Sequence, residues 1–130
     1  MSQALSELNA RFKYQTDKER YNKNEVWVLM ELDDVMYGDC EDYALYLAKR
    51  LSGDSIVKML WHLLTSKAVL HYVTTRSGAG HCILEWDGLL AENITKRWAD
   101  KSELNKLYRF RSKYRLPSII IKLILGKIFS

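Results

Sequence analysis

An α+β fold, helices first and a small antiparallel sheet after them, follows from three features of the sequence. Apolar residues recur at helical spacing through the first half. From Lys67 onward the runs become β-branched, aromatic and alternating. An Asp-Gly pair, Asp87-Gly88, stands between two such runs as a hairpin signal. The chain has 130 residues, enough for one core and not for two. Its apolar and charged fractions, 48% and 28%, are ordinary for a globular domain, and a single proline argues against a linker-rich chain.

Taken in order, residues 2–12 predict a helix, with Ala4, Leu5, Leu8 and Phe12 on one side. Residues 13–24 are polar and predict a loop; residues 25–35 predict a helix. Gly38 breaks the chain. Asp39 then caps a helix over 40–51, with Asp42 answering it as in a capping box and Ser52-Gly53 as the stop. Asp54 is expected to cap the next helix, with Ile56, Met59, Leu60, Leu63 and Leu64 on its inner face. Strands are predicted at 68–76, 81–86, 89–95 and 107–115. In the last, Arg109, Arg111, Lys113 and Arg115 alternate with Tyr108, Phe110, Ser112 and Tyr114. That pattern predicts a basic stripe on one face of an edge strand. After Pro117 a very apolar helix runs over 118–129. The domain is accordingly read as 1–116, with 117–130 packed on it or on a partner, a membrane surface being the other place for such a helix.

Several function classes recede on composition. A formal charge of +4 is too weak to point to nucleic acid, and no nucleic-acid partner is expected. Cys40 and Cys82 are too few for a disulfide framework. No signal-like or membrane-spanning apolar run is present, so the expected location is the cytoplasm.

The chemistry points to Cys40. A thiol at a helix N-terminus meets free N–H groups and a partial positive charge that favour the thiolate. The acids Asp39, Glu41 and Asp42 oppose this, so a cationic partner is needed, and His81 is the candidate. A two-residue turn at Asp87-Gly88 pairs Trp86 with Leu89. Counting back puts Glu92 on the face of His81, one diagonal step away. A three-residue loop would instead bring Asn93 there, so Asn93 stands as the alternative third member. Cys82 alternates away from His81 and reads as core packing. His62 and His71 read as structural.

The run Gly38-Asp39-Cys40-Glu41-Asp42-Tyr43-Ala44 resembles the nucleophile motif of the bacterial transglutaminase-like cysteine peptidases. Gly80-His81 resembles the family's Gly-His at the start of a strand. Ala91-Glu92-Asn93 sits where an Asp-Asn pair belongs, with glutamate in place of aspartate. Trp27 and Glu31 resemble an upstream family Trp and Glu, and Tyr108-Arg109-Phe110 a late family strand. The resemblance implies a papain-like fold, a Cys-His-acid triad, and hydrolysis of peptide or isopeptide bonds in a protein or peptide substrate through an acyl-enzyme. Asp39 and Trp27 enter as supporting residues. The resemblance also implies calcium, by position, at Asp39, Glu41 and Asp42; no cofactor is otherwise required. Acyl transfer to an amine and a non-enzymatic binding module remain open beside hydrolysis.

Overall fold

A computed structural model describes residues 2–14, 36–114 and 116–129. The helix expected over 25–35, with Trp27 and Glu31, lies outside the described residues, as do Arg115 and most of the expected loop at 13–24. The first helix, α1, spans Ser2–Arg11 and leads into a short strand, β1, Phe12–Tyr14. β1 pairs in parallel with β2, Met36–Gly38, a strand that the Gly38 break had obscured.

Helix α2, Cys40–Leu51, starts and stops where the local signals put it. The Asp39 carboxylate accepts from Asp42 N–H at 3.3 Å, and the Asp42 carboxylate accepts from Asp39 N–H at 3.0 Å. Gly38 is required by this box: a Cβ there would lie 2.7 Å from Asp42 Cβ. Helix α3, Ile56–Leu64, is capped by Ser55, not by Asp54 as expected. Asp54 takes φ 60°, inside the turn, and the extended residue that follows it does the capping. The inner face of α3 is also narrower than expected. Met59 is buried, but Ile56 and Leu64 are 48% and 60% exposed.

Four strands form an antiparallel sheet: β3, Ala68–Thr75; β4, Gly80–Trp86; β5, Leu89–Ala91; and β6, Tyr108–Lys113. Their order is β5-β4-β3-β6. Trp86 pairs with Leu89, as a two-residue turn requires, and Asp87 and Gly88 both take positive φ. A one-turn helix, α4, Lys101–Leu104, precedes β6, and α5, Leu116–Phe129, closes the chain.

Alternation along β3 and β4 builds two cores. Ala68, Leu70, Cys82, Leu84 and Trp86 turn toward α1, α2 and α3, around Leu8, Leu45 and Leu47. Val73, Ile83 and Leu90 turn the other way, onto Ala99, Leu104 and Tyr108. The expected basic stripe on β6 is broken. The register shifts opposite Tyr72 and Val73, so that Arg111 is the extra residue: Arg109 pairs with Thr74 and Lys113 with His71. A bulge reverses the alternation beyond it, which puts Lys113 on the opposite face from Arg109.

Candidate active site

The strand expected over 89–95 ends at Ala91, and Glu92 is the reason. Its carboxylate accepts from Ile94 N–H and Thr95 N–H, both at 2.8 Å, and from the Thr95 hydroxyl, while its carbonyl accepts from Lys96 N–H at 3.0 Å. Those N–H groups close a turn, so the ladder to β4 stops. The turn holds the carboxylate, fully buried, where it meets His81: Nε2 lies 2.8 Å from Glu92 Oε2. Tyr108 on β6 completes the surround. Its hydroxyl donates to the same oxygen at 3.2 Å, and its ring stacks on the imidazole, 5.2 Å between centroids.

Burial by itself would raise the Glu92 pKa. The hydrogen bonds from His81, Thr95 and Ile94 outweigh it and hold the carboxyl down at about 2, so Glu92 is ionised at neutral pH. With Nε2 engaged, Nδ1 is the imidazole nitrogen left for a thiol.

Cys40 opens α2 and is partly buried. Its sulfur lies beside the main chain of Cys82, the residue next to His81, and packs against the core that holds Cys82. The head of α2 thus lies against the start of β4, and among the described contacts none joins the Cys40 sulfur to the His81 ring. Burial, then Glu41, Cys82 and Asp39, push the Cys40 thiol well up, with the Cys82 main chain opposing; the resting form is the thiol. Gly80 serves packing at this corner: a Cβ there would lie 2.9 Å from the Tyr72 hydroxyl.

A second set of bonds ties the helix to the turn. The Tyr43 hydroxyl, one turn along α2 from Cys40, donates to Asn9 Oδ1 on α1, and Asn9 Nδ2 donates to the Lys96 carbonyl at 2.7 Å. Lys96 closes the Glu92 turn, so α1 braces α2 against the segment that carries the carboxylate.

A family model described as bacterial transglutaminase-like cysteine proteinase BTLCP matches residues 1–88. The chain belongs to this family. The matched segment holds the Asp39-Cys40 cap and Gly80-His81 and ends before Glu92 and Tyr108, shorter than the resemblance drawn from motifs alone. No curated protein and no solved structure matches the chain.

The calcium that the resemblance implied finds no ligand set among the described residues. Asp39 and Asp42 turn their carboxylates onto each other's N–H. Among the described residues no group of three or more His, Cys, Asp or Glu is placed to hold a metal ion. The alternative third member, Asn93, is buried with Oδ1 unpartnered among the described residues, while Glu92 takes the imidazole. Trp27 lies outside the described residues. Cys82 is core, as expected from alternation.

His62 and His71 both have partners that sequence reasoning missed: Ser52 Oγ at 2.9 Å from His62 Nδ1, and Glu85 Oε1 at 2.9 Å from His71 Nε2. Burial lowers the His71 pKa against the pull of Glu85. Tyr108, Thr95 and Asn9 were also missed as contributors to the site. Tyr108 had a signal, as an aromatic at an inward position of a strand; Thr95 and Asn9 had none.

Proposed function

We propose that the chain is a cysteine hydrolase of papain-like or transglutaminase-like arrangement that cleaves peptide or isopeptide bonds through Cys40, His81 and Glu92. The observation that carries this reading is the ionised, buried Glu92 bonded to His81 Nε2, with Cys40 beside the main chain of the neighbouring Cys82. A fully buried carboxylate beside an imidazole at the head of a cysteine-bearing helix has a chemical use that packing alone does not supply.

Cys40 attacks the substrate carbonyl as its S–H proton passes to His81 Nδ1. The tetrahedral intermediate collapses, the imidazolium proton goes to the leaving amine, and a thioester remains on Cys40. Water then attacks the thioester, giving its proton to His81. Collapse releases the acid and returns the proton to sulfur. Glu92 holds the ring with Nε2–H toward itself and stabilises the imidazolium. The Cys40 N–H, in the first turn of α2, is an oxyanion donor. Because the resting sulfur is a thiol, deprotonation accompanies attack.

The test is alkylation by iodoacetamide at pH 6, read site by site by mass spectrometry. The Cys40 thiol is pushed up, so its alkylation is expected to depend on His81 taking the proton: His81→Ala should slow Cys40 on the order of 100-fold, and the buried Cys82 should not react at all. Cys40 alkylating as fast in His81→Ala as in wild type overturns the proposal. The raised Cys40 pKa favours a second reading, a family member that binds a protein without cleaving it. That reading gains if alkylation does not depend on His81 and Cys40→Ala still retains a protein that wild type leaves intact. Ammonia release with an amine donor would instead assign acyl transfer, which the same three groups serve.

A further inference from the structure

Helices α3 and α5 touch each other, and each uses only part of its apolar surface to do so. Met59 on α3 and Ile119 on α5 are buried, and Leu60, Leu63 and Leu123 pack around them. The outer side is apolar as well. Val57, Trp61 and Leu64 are 77%, 62% and 60% exposed, and Ile121, Ile124 and Leu125 are 57%, 55% and 46% exposed. Their spacings, i, i+4, i+7 on α3 and i, i+3, i+4 on α5, place each set on one helical face. An apolar surface built by two adjacent helices is more than single exposed side chains, and it calls for an occupant.

The charge around it says which. Neither helix carries an Asp or Glu, and no acid occurs over residues 55–84 or 104–130. Lys58 and Lys67 are exposed at and just beyond α3, and Arg109 and Arg111 are exposed on the strand that feeds α5. Arg109 pairs with Thr74 and Arg111 bonds the Thr74 hydroxyl at 3.1 Å, so both lie on the sheet face that α3 and α5 cover. Apolar side chains and a tryptophan within a surround that holds more bases than acids, Asp87 beside Lys67 and Asp54 ahead of α3 being the acids, complement a layer of anionic headgroups over acyl chains. The same charge disfavours a second copy, because a two-fold contact through this face would set Lys58 and Lys67 of both copies together with Asp87 as the acid left to meet them, Asp54 being paired with Arg50. Among the described residues no helix is long and apolar enough to cross a membrane, so the contact is one of lying on the surface.

We infer that the outer face of α3 and α5 docks on an anionic lipid surface. The full chain is tested by flotation with vesicles of phosphatidylcholine alone and of phosphatidylcholine mixed with phosphatidylserine. It is expected to float with the mixed vesicles, to be released by raised salt, and to stay behind with phosphatidylcholine alone. Trp61→Gln with Ile124→Gln removes flotation while leaving the thermal unfolding midpoint in place, since both side chains face solvent. Lys58→Glu with Lys67→Glu weakens binding on the order of tenfold or more. No flotation with either vesicle, or equal flotation with both, overturns the inference. So does a concentration-dependent dimer, seen by light scattering, that Trp61→Gln with Ile124→Gln dissociates. None of these readouts involves Cys40, so the result stands apart from the hydrolase reading.

Discussion

Replacing Glu92 by glutamine tests the centre of the site, because it keeps shape and removes charge. Five donors converge on the carboxylate: His81 Nε2, Ile94 N–H and Tyr108 hydroxyl on Oε2, and Thr95 N–H and hydroxyl on Oε1. The amide keeps one acceptor oxygen. Its NH₂ takes the Oε1 place at least cost, since the Thr95 hydroxyl can rotate to accept but the Thr95 N–H cannot. One buried N–H is then unmet, costing about 1–3 kcal/mol, and the charge-assisted bonds are lost as well. The titration sets the scale independently. A folded pKa of about 2 against the ordinary 4.5 corresponds to roughly 3 kcal/mol of stability. The folded pKa is depressed, so this stability is fully present above pH 4.5, where the unfolded chain is ionised too. It is lost as pH falls from there toward 2, because the unfolded chain takes up the proton first. Urea unfolding of both proteins from pH 7 to pH 3 is the assay. Wild type should exceed Glu92→Gln by about 3 kcal/mol at pH 7, and roughly 2 kcal/mol of that difference should be gone at pH 3. A difference below about 1 kcal/mol at pH 7, or one that does not change with pH, refutes the reasoning.

Three further substitutions probe the supports. Gly38→Ala drives a Cβ into Asp42 and breaks the capping box; an unfolding loss of about 1–3 kcal/mol is expected by thermal denaturation, against near neutrality if the box can shift. Tyr108→Phe keeps the stack on His81 and removes one donor to Glu92. It should cost about 1 kcal/mol in urea at pH 7 and less at pH 3, because the lost bond favours the carboxylate and the folded pKa moves up toward the ordinary one. Asn9→Ala leaves the Tyr43 hydroxyl and the Lys96 carbonyl without partners. About 1–3 kcal/mol should be lost, with faster hydrogen exchange at Thr95 and Lys96 than at β4 amides.

Much of the frame was legible locally. The capping box at Asp39-Cys40-Glu41-Asp42, the stop after Leu51 and the turn at Asp87-Gly88 are short-range devices, each determined by a few consecutive residues. The hairpin even carried long-range content. Once Trp86 pairs with Leu89, two-residue alternation puts position 92 on the face of position 81, and the carboxylate–imidazole contact follows. The prediction reached the contact by an imperfect route. It assumed a ladder continuing past Glu92, whereas the side chain itself ends the ladder by capturing the amides of residues 94 and 95. The α3 cap moved from Asp54 to Ser55 for a related reason: a turn with positive φ at both Gly53 and Asp54 delays the extended residue that a cap must be.

From the sequence alone came α2, α3 and the four antiparallel strands in their order, though not the parallel pair β1 and β2 or the short α4; so did the cysteine at a helix head, the histidine opening a strand, and the acid one diagonal step from it. All of these rest on interactions between residues close in the chain or joined by one tight turn. Tertiary structure alone decided that Cys40 would pack against the core that holds Cys82, that Tyr108 would close over the imidazole, and that Asn9 would brace both halves of the site. It also decided that a bulge at Arg111 would split the basic stripe. Those contacts span tens of residues, and their geometry depends on how α1 and α2 seat on the sheet and on strand register, which local propensity does not encode.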